Sequence, residues 1–313
     1  MKRTIVFLLI AVLTIALAGC GGKGGPPATV ATVDGKPVSG ELYYEFLDTS
    51  FGRQALPSLI DYQVMLNWAA KEKVPVTDAQ IDKQMDILKR DGNYDDQVVN
   101  LGGEQALRNR YKQFQAAINL GEKFNKFTES ELKEMYNEPF MKTRYVRGPR
   151  QRVILIISTS KAEIDKAKKA LEKGMDFEAA AVKYSDAQFT MGGPVKTFVS
   201  KGEGPEGLYD AAKKLKDGQV SKPFQFTLNS MGEYSGIVKV IGEQPKLDLK
   251  FDQVKDEVKA MAALQKTSTP EFQKKFEAQK KKADIVILLP QYKYMVDQIK
   301  NPPPPMMGMP GGQ

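Results

Sequence analysis

The apolar positions of this chain change rhythm several times. Residues 5–18 are apolar apart from Thr14, a run shorter than the roughly 20 residues that a membrane-spanning helix requires. Residues 29–33 alternate as a strand does, Asp34-Gly35 is a tight-turn pair and Pro37-Val38 begins a return, which predicts a hairpin. Helical spacing follows. Residues 42–47 form one segment, Leu56, Leu59, Ile60, Leu66 and Ala69 recur along a second, and Ile81, Met85 and Leu88 follow a capping box of Thr77 and Gln80. Leu107, Tyr111, Phe114 and Ile118 predict a long helix, and Thr128 with Glu131 caps another that carries Leu132, Met135 and Tyr136. The stretch 29–146 reads as a mainly helical domain.

Pro139, Gly148 and Pro149 are expected to break helix and mark a boundary. Beyond them, residues 153–157 form a continuous aliphatic run, which predicts a strand buried on both faces. Ser160 and Glu163 cap a helix with Ile164, Ala167 and Leu171 on one side and Gly174 past its end. A helix at 177–184, an extended segment at 195–199, a helix at 208–215 and strands at 220–228 and 237–241 complete the order β-α-α-β-α-β-β over residues 150–243. The segment 247–295 then offers a helix face of Phe251, Val254, Val258, Met261 and Leu264, a basic helix with Phe272 and Phe276, and an apolar strand at 285–289. It has too little apolar surface to stand alone and is expected to pack on the helical domain. The fold class expected is α+β: a helical domain drawn from both ends of the chain, with a smaller α+β domain inserted.

The ends carry different information. Lys2 and Arg3 precede the apolar run, which closes on Leu17-Ala18-Gly19-Cys20. A basic n-region, an apolar core and small residues before a cleavage point make residues 1–19 a signal peptide. Leu17-Ala18-Gly19-Cys20 resembles the lipobox of bacterial lipoproteins, in which the cysteine receives a diacylglycerol and becomes an acylated N-terminus; here that residue is Cys20. Several acyl chains are implied at such a site, and each buried methylene adds about 0.8 kcal/mol of membrane affinity. Glycines and prolines dominate the following spacer, 20–28, and 301–313, with four consecutive prolines and then Met306, Met307 and Met309, forms a second biased, core-free segment, read as a disordered tail.

There is no histidine, and the one cysteine is taken by the lipid reading, so a zinc centre, a thiol nucleophile and a Ser-His-Asp triad have nothing to be built from. No metal or cofactor is expected. The net charge of +8 includes the leader's Lys2 and Arg3, and the densest basic run, Lys280-Lys281-Lys282, reads as a solvated helix face. Nucleic acid is not an expected partner.

Several local sequences resemble the PrsA-like foldase lipoproteins and the related SurA-type chaperones, whose helical chaperone domain is interrupted by parvulin-type peptidyl-prolyl isomerase domains. In the helical half they are Val33-Asp34-Gly35-Lys36-Pro37-Val38, Leu59-Ile60-Asp61 and Val76-Thr77-Asp78-Ala79-Gln80-Ile81-Asp82. In the second half they are Leu171-Glu172-Lys173-Gly174-Met175-Asp176-Phe177-Glu178, the glycine pair Gly192-Gly193, and Leu215-Lys216-Asp217-Gly218-Gln219-Val220-Ser221-Lys222-Pro223. The resemblance covers nearly all of the chain after the leader. It implies a foldase held outside the cytoplasm, on the outer face of a cell membrane or on a periplasm-facing outer membrane, with unfolded or exported polypeptides as partners.

The same resemblance implies where a prolyl pocket would lie and how this chain departs from it. Val153 and Gly236 stand in the positions of the two parvulin histidines, Gly204 and Leu208 in those of the methionine and phenylalanine that grip the ring, and Val195 in that of a leucine. Asp186 matches the family's cysteine or aspartate, and Phe198 the aromatic that follows the glycines. Twisting an amide must overcome about 18–20 kcal/mol, lowered by an apolar grip on the ring and polar groups that favour the twisted bond. With that grip replaced, weak or absent isomerase activity is expected. The competing readings are that Asp186 is a loop carboxylate and that Phe198 and Leu208 are core residues. Two other functions stay open: an active isomerase, which would accelerate cis-trans exchange in a proline peptide, and a non-folding envelope-assembly or binding lipoprotein.

Overall fold

The computed structural model describes residues 27–190, 193–202, 204–205, 207–228 and 231–301. Cys20, the leader, most of the spacer and the tail from 302 lie outside the described residues. The chain groups into two units, Met1–Gln63 with Lys280–Gln313, and Val64–Gln279.

The expected hairpin is present as β1 (Thr29–Val33) and β2 (Lys36–Ser39). Asp34 and Gly35 both take positive φ, 51° and 75°, the backbone that a two-residue primed turn needs. The Ser39 side chain caps α1 (Gly40–Leu47), a π-helical turn follows at Asp48–Gly52, and α2 (Arg53–Lys71) runs on.

In the second unit, α3 (Asp78–Arg90) begins at a full capping box, with Thr77 and Gln80 satisfying each other's neighbouring N–H groups. After α4 (Tyr94–Asn100), α5 (Glu104–Phe124) lies against α3, burying Leu107 beside Ile81, Met85 and Leu88. Asn119 completes this contact from inside the interface. Its amide donates to the carbonyls of Val74 and Pro75 at 3.2 and 3.1 Å and its oxygen accepts from Gln80 and Gln115. Thr128 and Glu131 cap α6 (Glu129–Asn137).

The helix break expected at Pro139 is present, since α6 ends at Asn137, but Pro139 also opens a further short helix, α7 (Pro139–Tyr145), which the sequence reading did not give. A proline at the first helical position loses no hydrogen bond, because that N–H has no partner within the helix. The short strand β3 (Val146–Arg147) then leads to β4 (Arg150–Ser158), the helices α8 (Lys161–Glu172), α9 (Phe177–Tyr184) and α10 (Ala187–Thr190), and β5 (Val195–Val199). Next come α11 (Leu208–Ala212), β6 (Phe224–Leu228) and β7 (Gly232–Gln244), giving an antiparallel sheet of order β5-β4-β7-β6. The aliphatic run of β4 reflects cover on both sides. Val153, Leu155 and Ile157 face α11, while Ile154 and Ile156 face α8 and α9 with Ile164, Ala167 and Phe177.

The chain leaves the sheet through β8 (Leu247–Asp248), which pairs with β3, and α12 (Phe251–Lys266) packs on α6 and α7 through Phe251, Val254 and Val258. Along α13 (Pro270–Lys282), Phe272 and Phe276 meet the Trp68 ring, 5.3 and 6.4 Å away between centroids. The expected strand at 285–289 is corrected. Their burial alternates, with Ile287 buried and Val286 and Leu288 exposed, yet among the described residues no strand pairs with them to form a ladder. A 3-10 turn at Pro290–Tyr292 and α14 (Met295–Lys300) follow, and Ile287, Tyr292, Met295 and Ile299 form the first unit's core against Leu56 and Ile60. The expected class, α+β with mainly helical portions and a small sheet module, is the class found.

The crossing of α5 and α12 is close at Gly121, where an added Cβ would lie 2.3 Å from the Ala263 carbonyl oxygen. Gly121→Val is expected to lower stability by about 1–3 kcal/mol, the cost of overpacking a well-filled interior. A urea unfolding midpoint equal to that of the parent chain would disprove this close approach.

Candidate functional site

Strand parity decides which residues can share a site, because successive side chains of a strand point to opposite faces. In the β4–β5 register, Val153 pairs with Thr197 and Leu155 with Val195; in the β4–β7 register, Ile157 pairs with Gly236 and Val153 with Val240. Val153, Val195 and Gly236 therefore lie on one face, which α11 covers with Leu208 and Ala212. Four of the positions matched to a prolyl pocket come together.

Phe198 does not join them. It pairs with Arg152 on the opposite face, and the Arg150 guanidinium stands 3.8 Å from its ring centroid. A Cβ on Gly92, in the turn after α3, would lie 3.0 Å from the Phe198 ring. This aromatic packs where the sheet module meets the helices.

The shared face is filled. Val153 is completely buried, Leu208 is 3% exposed, and Phe226 and Tyr234 are each 4% exposed. Phe189 meets the Tyr234 ring edge-on at 5.5 Å, Tyr234 lies 6.1 Å from Phe226, and Phe226 5.4 Å from Phe224. None of these four aromatics stood out in the sequence, because what unites them is tertiary: β6, β7 and α10 deliver them to one place. Gly236 is sealed by the same group, since a Cβ there would lie 3.0 Å from Phe226, 3.2 Å from Leu155 and 2.9 Å from the Ile156 carbonyl oxygen. A histidine ring has no room at Gly236. Gly204, by contrast, has positive φ (84°) and open space around it, so it presents nothing to hold a ring.

Asp186 sits at the end of β4, held by its own backbone N–H donating to the Ile157 carbonyl at 2.9 Å. Its carboxylate accepts from Ser158 Oγ at 2.6 Å, from the Thr159 backbone N–H at 2.9 Å and from Thr159 Oγ1 at 3.1 Å. Burial pushes its pKa up, and the hydrogen bonds from Ser158 and Thr159 outweigh burial and hold it below the usual value. Neighbouring Ser185 Oγ accepts the Ile157 N–H at 3.1 Å. These contacts tie a strand end to the loop that follows α9. On the filled face the Tyr234 hydroxyl accepts from the Gln188 amide at 3.4 Å. Among the described residues no group of three or more Cys, Asp or Glu side chains could hold a metal ion, and no helix is long and apolar enough to cross a membrane.

Residues 127–256 match the family described as the PPIC-type PPIASE domain. The chain is 30% identical over 292 residues to foldase protein PrsA 2 of Bacillus anthracis, an alignment covering 92% of this chain and 94% of the relative. It is 27% identical to foldase protein PrsA of Bacillus subtilis (strain 168), covering 92% and 91%. A crystal structure of the peptidylprolyl isomerase PrsA from Bacillus cereus aligns over 87% of this chain and 98% of that one, with 23% identity and a TM-score of 0.34. With a relative at 30% identity along almost the whole length of both proteins, the chain belongs to the PrsA family of foldases.

Proposed function

We propose that this foldase works as a holding chaperone for unfolded, exported polypeptides, with weak or absent isomerase activity, and that lipid on Cys20 keeps it at a membrane outside the cytoplasm. One observation carries the reading: the sheet face matched to the prolyl pocket is packed with the chain's own aromatics, Phe226 and Tyr234 at its centre. A proline ring would have to displace them, and the α+β module, residues 150–243, then serves as scaffold. Apolar surface is instead open in the first unit, where Leu42 and Phe46 are 61% and 63% exposed. Exposed apolar and aromatic groups of this kind recognise many unfolded sequences by adaptable packing. Asp186 acts as a structural carboxylate in this reading.

Two measurements test it. In the chain lacking residues 1–19 and carrying Cys20→Ser, aggregation of an unfolded client is expected to be suppressed while cis-trans exchange of a proline tetrapeptide stays within about twofold of the uncatalysed rate. Saturable acceleration of that exchange would refute the filled pocket, and absence of both effects would refute a folding role. Asp186→Ala is expected to cost on the order of 1–3 kcal/mol at neutral pH by leaving the buried Ser158 hydroxyl without its acceptor. Because the folded carboxylate has the lower pKa, its stabilisation is present above the unfolded aspartate value of about 3.9 and disappears as pH falls through the folded value. The gap between parent and variant in urea midpoint should therefore close in acid; a constant gap would argue against these hydrogen bonds.

A further inference from the structure

Within the second unit, α3, α5 and α12 leave a cavity of about 280 Å³ between them. Gln80 bonds Asn119 and Gln84 bonds Gln115, so α3 and α5 run antiparallel along it. On the α3 side the lining runs from Gln80 to Ile87, a span of about 10 Å at 1.5 Å per residue. Three residues of extended polypeptide cover the same length at about 3.3 Å each.

The walls carry carboxamides where a helix contact would gain more from aliphatic side chains. Gln115 and Asn119 are 6% and 8% exposed, on a helix that otherwise buries Leu107, Ile118 and Leu120. A buried amide is tolerated only when bonded, and here the bonds form a relay. Gln84 donates to Gln115 at 3.3 Å, Gln115 to Asn119 at 2.8 Å, and Asn119 to the carbonyls of Val74 and Pro75. Gln84, half-buried at the head of the relay, spends one N–H on it. Its carbonyl oxygen and second N–H remain for a ligand, and together they offer the same donor and acceptor as a peptide group. Ile87 and Ile118, with Ala260, supply the apolar part of the lining.

The charged groups at the opening neutralise one another. Lys83 meets Asp256 at 3.2 Å, Lys259 meets Glu122 at 2.8 Å, and Glu257 is held by Arg90 at 2.8 Å. With each charge answered across the rim, the cavity favours an uncharged occupant over an ion or a charged side chain. The first two pairs join α12 to α3 and to α5 near solvent, the kind of ion pair that contributes least to stability and yields most readily to an entering group.

We propose that this cavity binds client main chain: an extended, uncharged segment of about three residues, whose peptide groups bond the Gln84 carboxamide and whose middle side chain lies on Ile87 and Ile118. Length, the donor and acceptor pair and the absence of net charge all select this occupant. The proposal deepens the chaperone reading above and rests on it. To the exposed apolar residues of α1 it adds a site that reads backbone and is indifferent to most of the client's sequence.

The test uses the chain lacking residues 1–19 and carrying Cys20→Ser. The probe is an acetylated and amidated nonapeptide of glycine and serine with leucine, photoleucine and leucine at its centre. Irradiation is expected to label residues 80–87, 115–122 or 256–260, with a yield that changes less than about twofold between low and high salt. An analogue with ester oxygens in place of the central peptide N–H groups should label about fivefold less. Gln84→Met should lower labelling by a similar factor, since it keeps the volume and helix propensity of the side chain and removes the amide. Labelling elsewhere, no labelling, or equal labelling of the parent chain by the peptide and its ester would overturn the proposal. Suppression of client aggregation is measured on the same chain. Protection with labelling elsewhere removes this site and leaves the chaperone reading standing. Labelling of the cavity without protection removes the chaperone reading and leaves a peptide site.

Discussion

Asp91, at the end of α3, is the point on which the larger unit turns. Its carboxylate meets the guanidinium groups of Arg90, Arg147 and Arg144 at 3.1, 3.6 and 3.9 Å, and Arg90 also holds Glu257 of α12 through two bonds of 2.8 and 3.0 Å. The Asp91 and Glu257 side chains are each only 12% exposed, and Arg147 6%. Burial opposes the charge on Arg90, and its bonds to Glu257 and Asp91 more than compensate, leaving its pKa raised. Tyr145, whose ring the Arg90 guanidinium approaches at 5.9 Å, has its pKa pushed up to about 12, chiefly by burial. Removing one member of such a cluster strands the others in a poor solvent, which typically costs about 3–5 kcal/mol.

The chain segments that meet there are far apart in sequence. Arg90 and Asp91 precede the sheet module, Arg144 and Arg147 enter it, and Glu257 follows it. Between them β3 and β8 lie side by side, Val146 opposite Asp248, so the module leaves and re-enters the helices through adjacent strands. Its own attachment is polar. Arg150 donates to the Asp91 carbonyl at 2.9 Å and to Gln244 at 2.8 Å, Asp96 of α4 pairs with Arg152, and Lys196 lies 3.8 Å from the same carboxylate. Phe198 belongs to this junction, under Arg150, and the filled face of the sheet lies on the other side.

Much of this was legible because its causes are local. The capping boxes at Thr77 and Thr128, the Asp34-Gly35 turn and the helix 177–184 each depend on neighbours within a few residues, and each lies where its sequence placed it. The apolar run at 285–289 misled because a strand needs a partner that its own sequence does not encode, and α7 was missed because a helix-breaking proline is also a helix-starting one. Parity along 195–199 already separates Phe198 from Val195, a signal available without coordinates. The packing of Phe226 against Gly236 was not available, since it joins two strands through a sheet register. The bare face of α1 was half legible. Its apolar residues called for a partner, and only the fold shows that Tyr43, Tyr44 and Phe46 are left open.

The central claim is that the helices hold and serve clients without the sheet module, which is tied on through one paired doorway. Replacing residues 149–245 by an Asn-Gly turn tests this most directly, since β3 and β8 are already adjacent there. The account predicts a chain with a helical circular dichroism spectrum, a single cooperative urea transition and client protection within about twofold of the parent. A chain that unfolds, or that stays folded and loses protection, would contradict it.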